Sequence, residues 1–254
     1  MKKLLTVLLT MLLVLTLAGC GQKEEPVEEL TPEPITAKNT YAEYMAGAND
    51  DEFELLMSVQ GHQNWWYDDE TQQGKVTVYA QDDNGGYFIY EMICPEEKDA
   101  DVLLPGTLIR VTGYKSEWGG EIELVDATYE FCDVGGNAGK VYPAKDVTSE
   151  VGTDLLINDM NKLVSIKGLT VVAYEEGSEE AISRKESSWD HDLYFKADLN
   201  GNVVEFCIEN QLTAVDDPTY TAVENLKVGD VIDIEGFLYW YNGPNPHVTS
   251  ITVK

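Results

Sequence analysis

The sequence predicts a mainly β protein: two tandem small five-stranded barrels, each with a short helix between strands 3 and 4. Three observations carry this. A pattern of aliphatic and glycine positions, Leu103-x-x-Gly106-x-x-Ile109-x-Val111-x-Gly113-Tyr114, returns at the same spacing as Leu226-x-x-Gly229-x-x-Ile232-x-Ile234-x-Gly236-Phe237. Upstream of it, Met57–Gly61 matches Val164–Gly168 and Ala80–Gly85 matches Ala197–Gly201 with one residue deleted. Segments repeating in one order at a long period mark a duplicated structural unit. Within each copy, short apolar runs alternate with polar positions at period two, the pattern of half-buried strands.

Residues 1–19 read as a signal peptide. Lys2 and Lys3 precede an apolar run, Leu4 to Leu17, that falls short of the ~20 residues of a membrane span. Residues 20–40 are rich in Glu, Pro and Thr; they bury too little apolar surface to offset ordering and are expected to form a disordered tether. Tyr41–Ala46 reads as a short helix opening the first domain, 41–132. Phe53–Gly61 is its first strand, and Val76, Val78 and Ala80, alternating with Thr77 and Tyr79, its second. Asn84-Gly85 predicts a type I′ turn, with positive φ at both residues, into the third. Pro95–Leu103 suits a helical turn with proline and acids at its start. Ile109 and Val111 begin a fourth strand bent at Gly113, and Ile122, Leu124 and Ala127 carry the fifth. Residues 133–147, with Gly135, Gly136 and Gly139, read as a linker. The second domain, 148–254, repeats the order with Lys162–Ala173, an Asn200-Gly201 turn, a helix-compatible stretch from Gln211 to Leu226 broken by Pro218, Ile232 and Ile234 bent at Gly236, and a last strand through Val248, Ile251 and Val253.

Three strands, a helix and two strands in roughly 100 residues resemble the OB fold, a five-stranded Greek-key barrel. The resemblance covers 41–132 and 148–254 and rests on order and spacing. V-x-V-Y-A-Q-D-D-N-G-G-Y followed by P-G-T-L-I-R-V-T-G-Y is similar to OB-type domains of bacterial surface lipoproteins. A pair of β-sandwiches is the competing architecture, but seven strands per copy fit these lengths poorly. Leu17-Ala18-Gly19-Cys20 resembles the lipobox of bacterial lipoproteins. That resemblance implies cleavage before Cys20, acylation of Cys20, and anchoring to the lipid bilayer on the extracellular side, or in the periplasm of a two-membrane cell. An ordinary signal peptide cleaved near Ala18 is the alternative.

The formal charge is −29, and more negative once Lys2 and Lys3 are removed. Nucleic-acid binding draws on Lys and Arg neutralising phosphates. With 17 basic residues against 46 acidic ones, composition argues against a nucleic-acid partner and against an anionic membrane surface. It favours neutral or cationic ligands. Cys94, Cys132 and Cys207 remain after Cys20, an odd number that implies no disulfide framework. A Cys94–Cys132 bridge is one reading; three small buried thiols is the preferred one.

Candidate ligand residues come from the aromatics. Trp65, Trp66 and Tyr67, with Asp68, follow the first strand, and Trp118 lies in the hairpin between strands 4 and 5. Trp189 falls in the matching first loop of the second domain, and Tyr239 and Trp240 near its last hairpin. In OB folds these loops and the face of strands 2 and 3 form the ligand cleft. Flat rings beside carboxylates and amides suit a sugar ring, a peptide or a cationic group, with Asp68, Asp69, Glu70, Glu117 and Glu121 adding a negative field. The expected function is therefore a non-catalytic cell-surface lipoprotein that binds a carbohydrate, a cell-wall component, a peptide or an envelope protein. The alternative is a structural or assembly component of the envelope, with the aromatics packed between the domains. No catalytic residue, cofactor or metal is assigned, and the chain is read as a non-enzyme. Asp82-Asp83-Asn84-Gly85 departs from a calcium loop and reads as a plain turn. Among the histidines only His191, between Asp190 and Asp192, is a metal candidate, and no G-x-S-x-G occurs.

Overall fold

A computed structural model describes residues 35–133, 138–184 and 191–254. The expected signal peptide, Cys20, most of the tether and Trp189 lie outside the described residues. Helix α1 (Tyr41–Ala46) begins where expected, because Thr40 and Glu43 form a reciprocal capping box. Its last carbonyls, of Met45 and Gly47, accept hydrogen bonds from the buried Lys115 ammonium at 2.8 and 2.7 Å.

The first barrel is built from β1 (Glu52–His62), β3 (Gln73–Gln81), β4 (Gly86–Ile93), β5 (Leu108–Trp118) and β6 (Glu121–Asp133), with α2 (Glu97–Ala100) between β4 and β5. A short β2 (Trp66–Asp68) is added on the edge of β3. Strand β1 pairs antiparallel with β3 and β5, β3 with β4, and β5 with β6; β4 runs parallel to β6 and closes the barrel. The second barrel repeats this closure with β8 (Leu163–Val172), β10 (Leu193–Leu199), β11 (Asn202–Ile208), β12 (Val231–Phe237) and β13 (His247–Val253). Helix α3 (Pro218–Glu224) lies between β11 and β12, and β7 (Lys145–Asp146) and β9 (Ile182–Arg184) are short additions to β8 and β10. The expected pair of five-stranded OB-like barrels is the observed fold. Among the described residues no helix is long and apolar enough to cross a membrane.

Period-two alternation sorts each strand. Val76, Val78 and Ala80 point into the first core with Tyr87, Ile89 and Met92. Leu193, Phe195 and Ala197 point into the second with Val204, Phe206 and Ile208. Register shifts occur beside Gly113 and Gly236, the glycines read as bends, where the extra residue belongs to the partner strand, β6 or β13; a further shift has its extra residue at Gln60 of β1.

Some local expectations need correction. Asn200 and Gly201 have φ of 56° and 90°, as a type I′ turn requires. Asn84-Gly85 does not form one, since neither residue has a positive φ. Asp82 organises that turn instead: its Oδ1 accepts the N–H groups of Asn84 and Gly85, and its Oδ2 the Tyr87 hydroxyl. Among the described residues Cys94, Cys132 and Cys207 form no disulfide; Cys94 and Cys207 are buried, but Cys132 is only half-buried. Carboxylates are not uniformly surface groups either: Glu121, Glu123 and Asp159 are buried.

The barrels meet across a third, aromatic cluster. Tyr79 of β3 stacks on Phe237 at 4.2 Å, and Phe88 of β4 meets Tyr239 edge-on at 5.2 Å. The Tyr79 hydroxyl lies 2.6 Å from His247 Nδ1. Polar contacts complete the seam: Leu163 N–H donates to Gln81, Asn64 N–H to the Gln211 carbonyl, and Trp240 N–H to Glu121. Gly86 is required here, because a Cβ at that position would lie 2.3 Å from the Asn161 backbone.

Candidate ligand-binding surface

Equivalent faces of the two barrels have different fates. In an OB fold the outer face of strands 2 and 3, flanked by the loops after strands 1 and 4, receives the ligand. In the first barrel that face is β3 and β4, whose outward residues include Thr77, Tyr79, Gln81 and Phe88. All four are buried, and Tyr79, Gln81 and Phe88 contact the second barrel. The first barrel's cleft is therefore filled by its neighbour. In the second barrel the same face is β10 and β11, with Tyr194, Lys196, Asp198, Val203 and Glu205 turned outward. Val203 is 57% exposed and the other four are partly exposed.

On this open face Lys196 lies 4.4 Å from the centre of the Tyr174 ring, donates to the Tyr174 carbonyl and sits 3.9 Å from Glu205. Asn245, from the β12–β13 loop, donates to Glu205 and ties that loop to the face. The same loop reaches the first barrel: Asn242 N–H donates to the Gly119 carbonyl at 2.6 Å, and the Tyr241 ring packs on Gly119. Gly119, at φ 61°, is needed both for its backbone and for that approach; a Cβ would lie 2.7 Å from the Tyr241 ring. The β5–β6 and β12–β13 hairpins thus join at one rim, presenting Trp118 (62% exposed) and Tyr241 (51% exposed). Trp240 lies beneath them, packed on the second core and close to Gly120. Among the described residues the rim carries rings and amides with no basic side chain of its own, and on the face beyond it Lys196 lies beside Glu205.

The residues singled out in the sequence divide accordingly. Trp65 packs on the first core over Gly74 and donates from Nε1 to the Cys94 carbonyl at 2.8 Å. Trp66 is 41% exposed with the Lys75 ammonium 5.2 Å from its ring centre, and Tyr67 is exposed beside it. Asp68 is occupied: it pairs with Lys75 at 2.7 Å and accepts from the Glu70 and Thr71 N–H groups, and these partners hold its carboxyl well below the usual range. Tyr239 is stacked on His247 at 4.5 Å in the seam. Trp65, Trp66, Tyr67 and Asp68 are not brought to the Trp118 rim. β2 pairs with the start of β3, which lies opposite the end of β4, whereas the β5–β6 hairpin lies beside the start of β4. Glu121, assigned above to a negative surface field, is completely buried in the seam. Sequence reasoning missed Tyr241, Asn242, Asn245 and Lys196. The stretch Trp240-Tyr241-Asn242-Gly243-Pro244-Asn245-Pro246 held a signal, aromatics and amides on a Gly/Pro-bounded loop.

No family model matches the chain, and no curated protein matches it. Solved structures do. A murine DNA-binding protein bound with double-stranded DNA aligns at 9% identity over 79% of this chain and 94% of its own, with a TM-score of 0.36. The HINa domain of Ifi202 in complex with 20-bp double-stranded DNA aligns at 11% identity over 81% and 96%, with a TM-score of 0.34. A replication protein A heterotrimer bound to single-stranded DNA aligns at 14% identity over 89% of this chain and 52% of its own, with a TM-score of 0.32. Likeness at this distance assigns no ligand to the chain. It does overturn the expectation that excluded nucleic acid as a partner, because these similar structures hold DNA. The exclusion summed charge over the whole chain, whereas a ligand meets only one local face.

Proposed function

We propose that the chain is a non-catalytic binding protein whose ligand surface is the open β10–β11 face together with the joined hairpin rim, and that its ligand is a neutral carbohydrate of the cell wall or envelope. The observation that carries this is the unequal use of one face. The first barrel's cleft is filled by the second barrel, and the second barrel's cleft stays open with Trp118 and Tyr241 exposed at its margin. Exposed rings offer flat apolar area to sugar C–H faces, and Asn242, Asn245 and Glu205 supply polar groups for hydroxyls. Acylation at Cys20 would display this surface outside the cell; metabolic labelling with an alkynyl fatty acid, lost in Cys20→Ser, tests that part.

The ligand assignment is tested by calorimetry and tryptophan fluorescence against neutral glycans, peptidoglycan fragments, single-stranded DNA and double-stranded DNA. Saturable glycan binding is expected, weakened about tenfold or more in Trp118→Ala and in Tyr241→Ala, the scale of losing an aromatic anchor. Trp66→Ala leaves it unchanged. Salt-sensitive DNA binding with no glycan response would replace this reading by a nucleic-acid one. A flat response across the panel would favour the structural role.

A further inference from the structure

Glu121 opens β6 and is 0% exposed. Its Oε2 accepts the Trp240 N–H across the seam at 2.8 Å, and among the described residues its Oε1 has no hydrogen-bond partner. The carboxyl also adjoins the Asn161 amide, whose Nδ2 donates to the Ile122 carbonyl and whose Oδ1 is likewise buried without a partner. The titratable groups around it are Tyr41 and Tyr44 of α1, Tyr79 of β3, Tyr239 of the second barrel and Glu123 on its own strand. In the adjoining 159–162 segment, Asp159 also acts on Tyr41, while Lys145 and Lys162 are committed to Asp159. Among the described residues no cation is one of the groups acting on Glu121. A carboxylate so placed would bury a charge without a counter-ion, whereas the neutral acid carries no such cost.

We propose that Glu121 is a protonation-controlled clasp between the barrels: neutral, it holds the two hairpin loops together; ionised, it loosens the seam at Trp240 and Asn242. The clasp stands on the seam geometry and does not depend on the ligand assigned above. Burial raises the Glu121 pKa to about 8 against the opposing pull of the adjoining Asn161 side chain and the Trp240 N–H, so the clasp is closed at neutral and acidic pH and opens in mild alkali.

The test uses the full chain without ligand. The Glu121 side-chain carboxyl carbon, assigned through bonds in the isotope-labelled wild-type protein, is titrated by NMR. A midpoint near pH 8 is expected, against about 4.3 for an ordinary glutamate. Amide-exchange protection at Trp240 and Asn242, corrected for intrinsic rates, should fall about tenfold or more between pH 7 and 9, which is one decade of a linked equilibrium constant. In Glu121→Gln, which mimics the neutral acid, protection should not change. A midpoint in the ordinary carboxylate range overturns the proposal, and so does protection unaffected by pH in the wild type. The titration decides the matter even if the variant fails to fold.

Discussion

Tyr79 and Phe237 show how single side chains make two barrels one object. Each is fully or nearly buried without entering either barrel's own core, and their rings lie almost parallel at 4.2 Å. Phe237→Ala should cost about 3–5 kcal/mol in urea unfolding, the range for deleting a buried aromatic. Tyr79→Phe keeps the ring and removes only the hydroxyl beside His247, and should cost about 1 kcal/mol. Equal losses in the two variants would show that the ring stack is not the main contact. Lys115 is the other residue whose role sequence concealed. It is a lysine at an inward position of β5, tolerated because two helix-end carbonyls accept its hydrogen bonds and the Tyr44 ring lies 5.8 Å away. Lys115→Met leaves both carbonyls unpaired and should cost about 1–3 kcal/mol by the same assay.

At the level of turns and strands, identical dipeptides behave differently. Asn-Gly at 84–85 and 200–201 predicts the same turn, yet only the second adopts it. An aspartate stands two residues before each Asn; Asp198 accepts the Gly201 N–H, whereas Asp82 collects two backbone N–H groups and the Tyr87 hydroxyl and so offers the chain a competing geometry. Asp82→Ala should therefore destabilise the protein by about 1–2 kcal/mol, while Asn84→Ala should be nearly neutral. Asn200→Ala should cost about 1 kcal/mol, because alanine adopts positive φ poorly. A thermal-shift comparison of the three ranks them; an Asn84→Ala effect as large as that of Asn200→Ala would contradict the difference drawn between the turns. The bends at Gly113 and Gly236 were legible because a glycine inside an alternating strand has few other uses; that the extra residue at each lies on the partner strand was not. The ends of α2 and α3 were not, since one or two helical turns leave almost no periodicity to read.

Across both barrels, the seam predicts one cooperative transition. Residues 35–254 form a single compact unit, and separating the barrels would expose Tyr79, Phe88 and Phe237 together. Unfolding followed by tryptophan fluorescence and by far-ultraviolet circular dichroism should coincide; two resolved transitions would mean the seam is weak. The pH profile follows from groups shifted in opposite directions. Glu121 keeps in the folded state a proton that the unfolded chain releases, so its contribution is complete below its unfolded value and is lost as pH rises to about 8. Glu123, raised by burial, acts in the same sense. Asp68 and Asp146 are depressed, first by their hydrogen bonds to Lys75 and Lys167, so their contribution is present above their unfolded values and is lost in acid. Stability should therefore peak in mildly acidic buffer, and the fall toward pH 8 should flatten in Glu121→Gln. Urea titrations between pH 3 and 9 check this.

Duplication, strand order, the bends at glycine and the short helix at Tyr41–Ala46 could all be read along the chain, because each depends on neighbours within a few residues or on a pattern repeated at fixed spacing. Which barrel face stays open could not. Tyr79 and Lys196 occupy matching outward positions on the second strands of the two barrels, but one is stacked against the other barrel and the other lies on the open face. That difference arises only when Phe237, His247 and Asn161, far away in sequence, are packed against β3 and β4. Burial of an outward side chain depends on what docks against it, and docking is a property of whole surfaces rather than of local patterns.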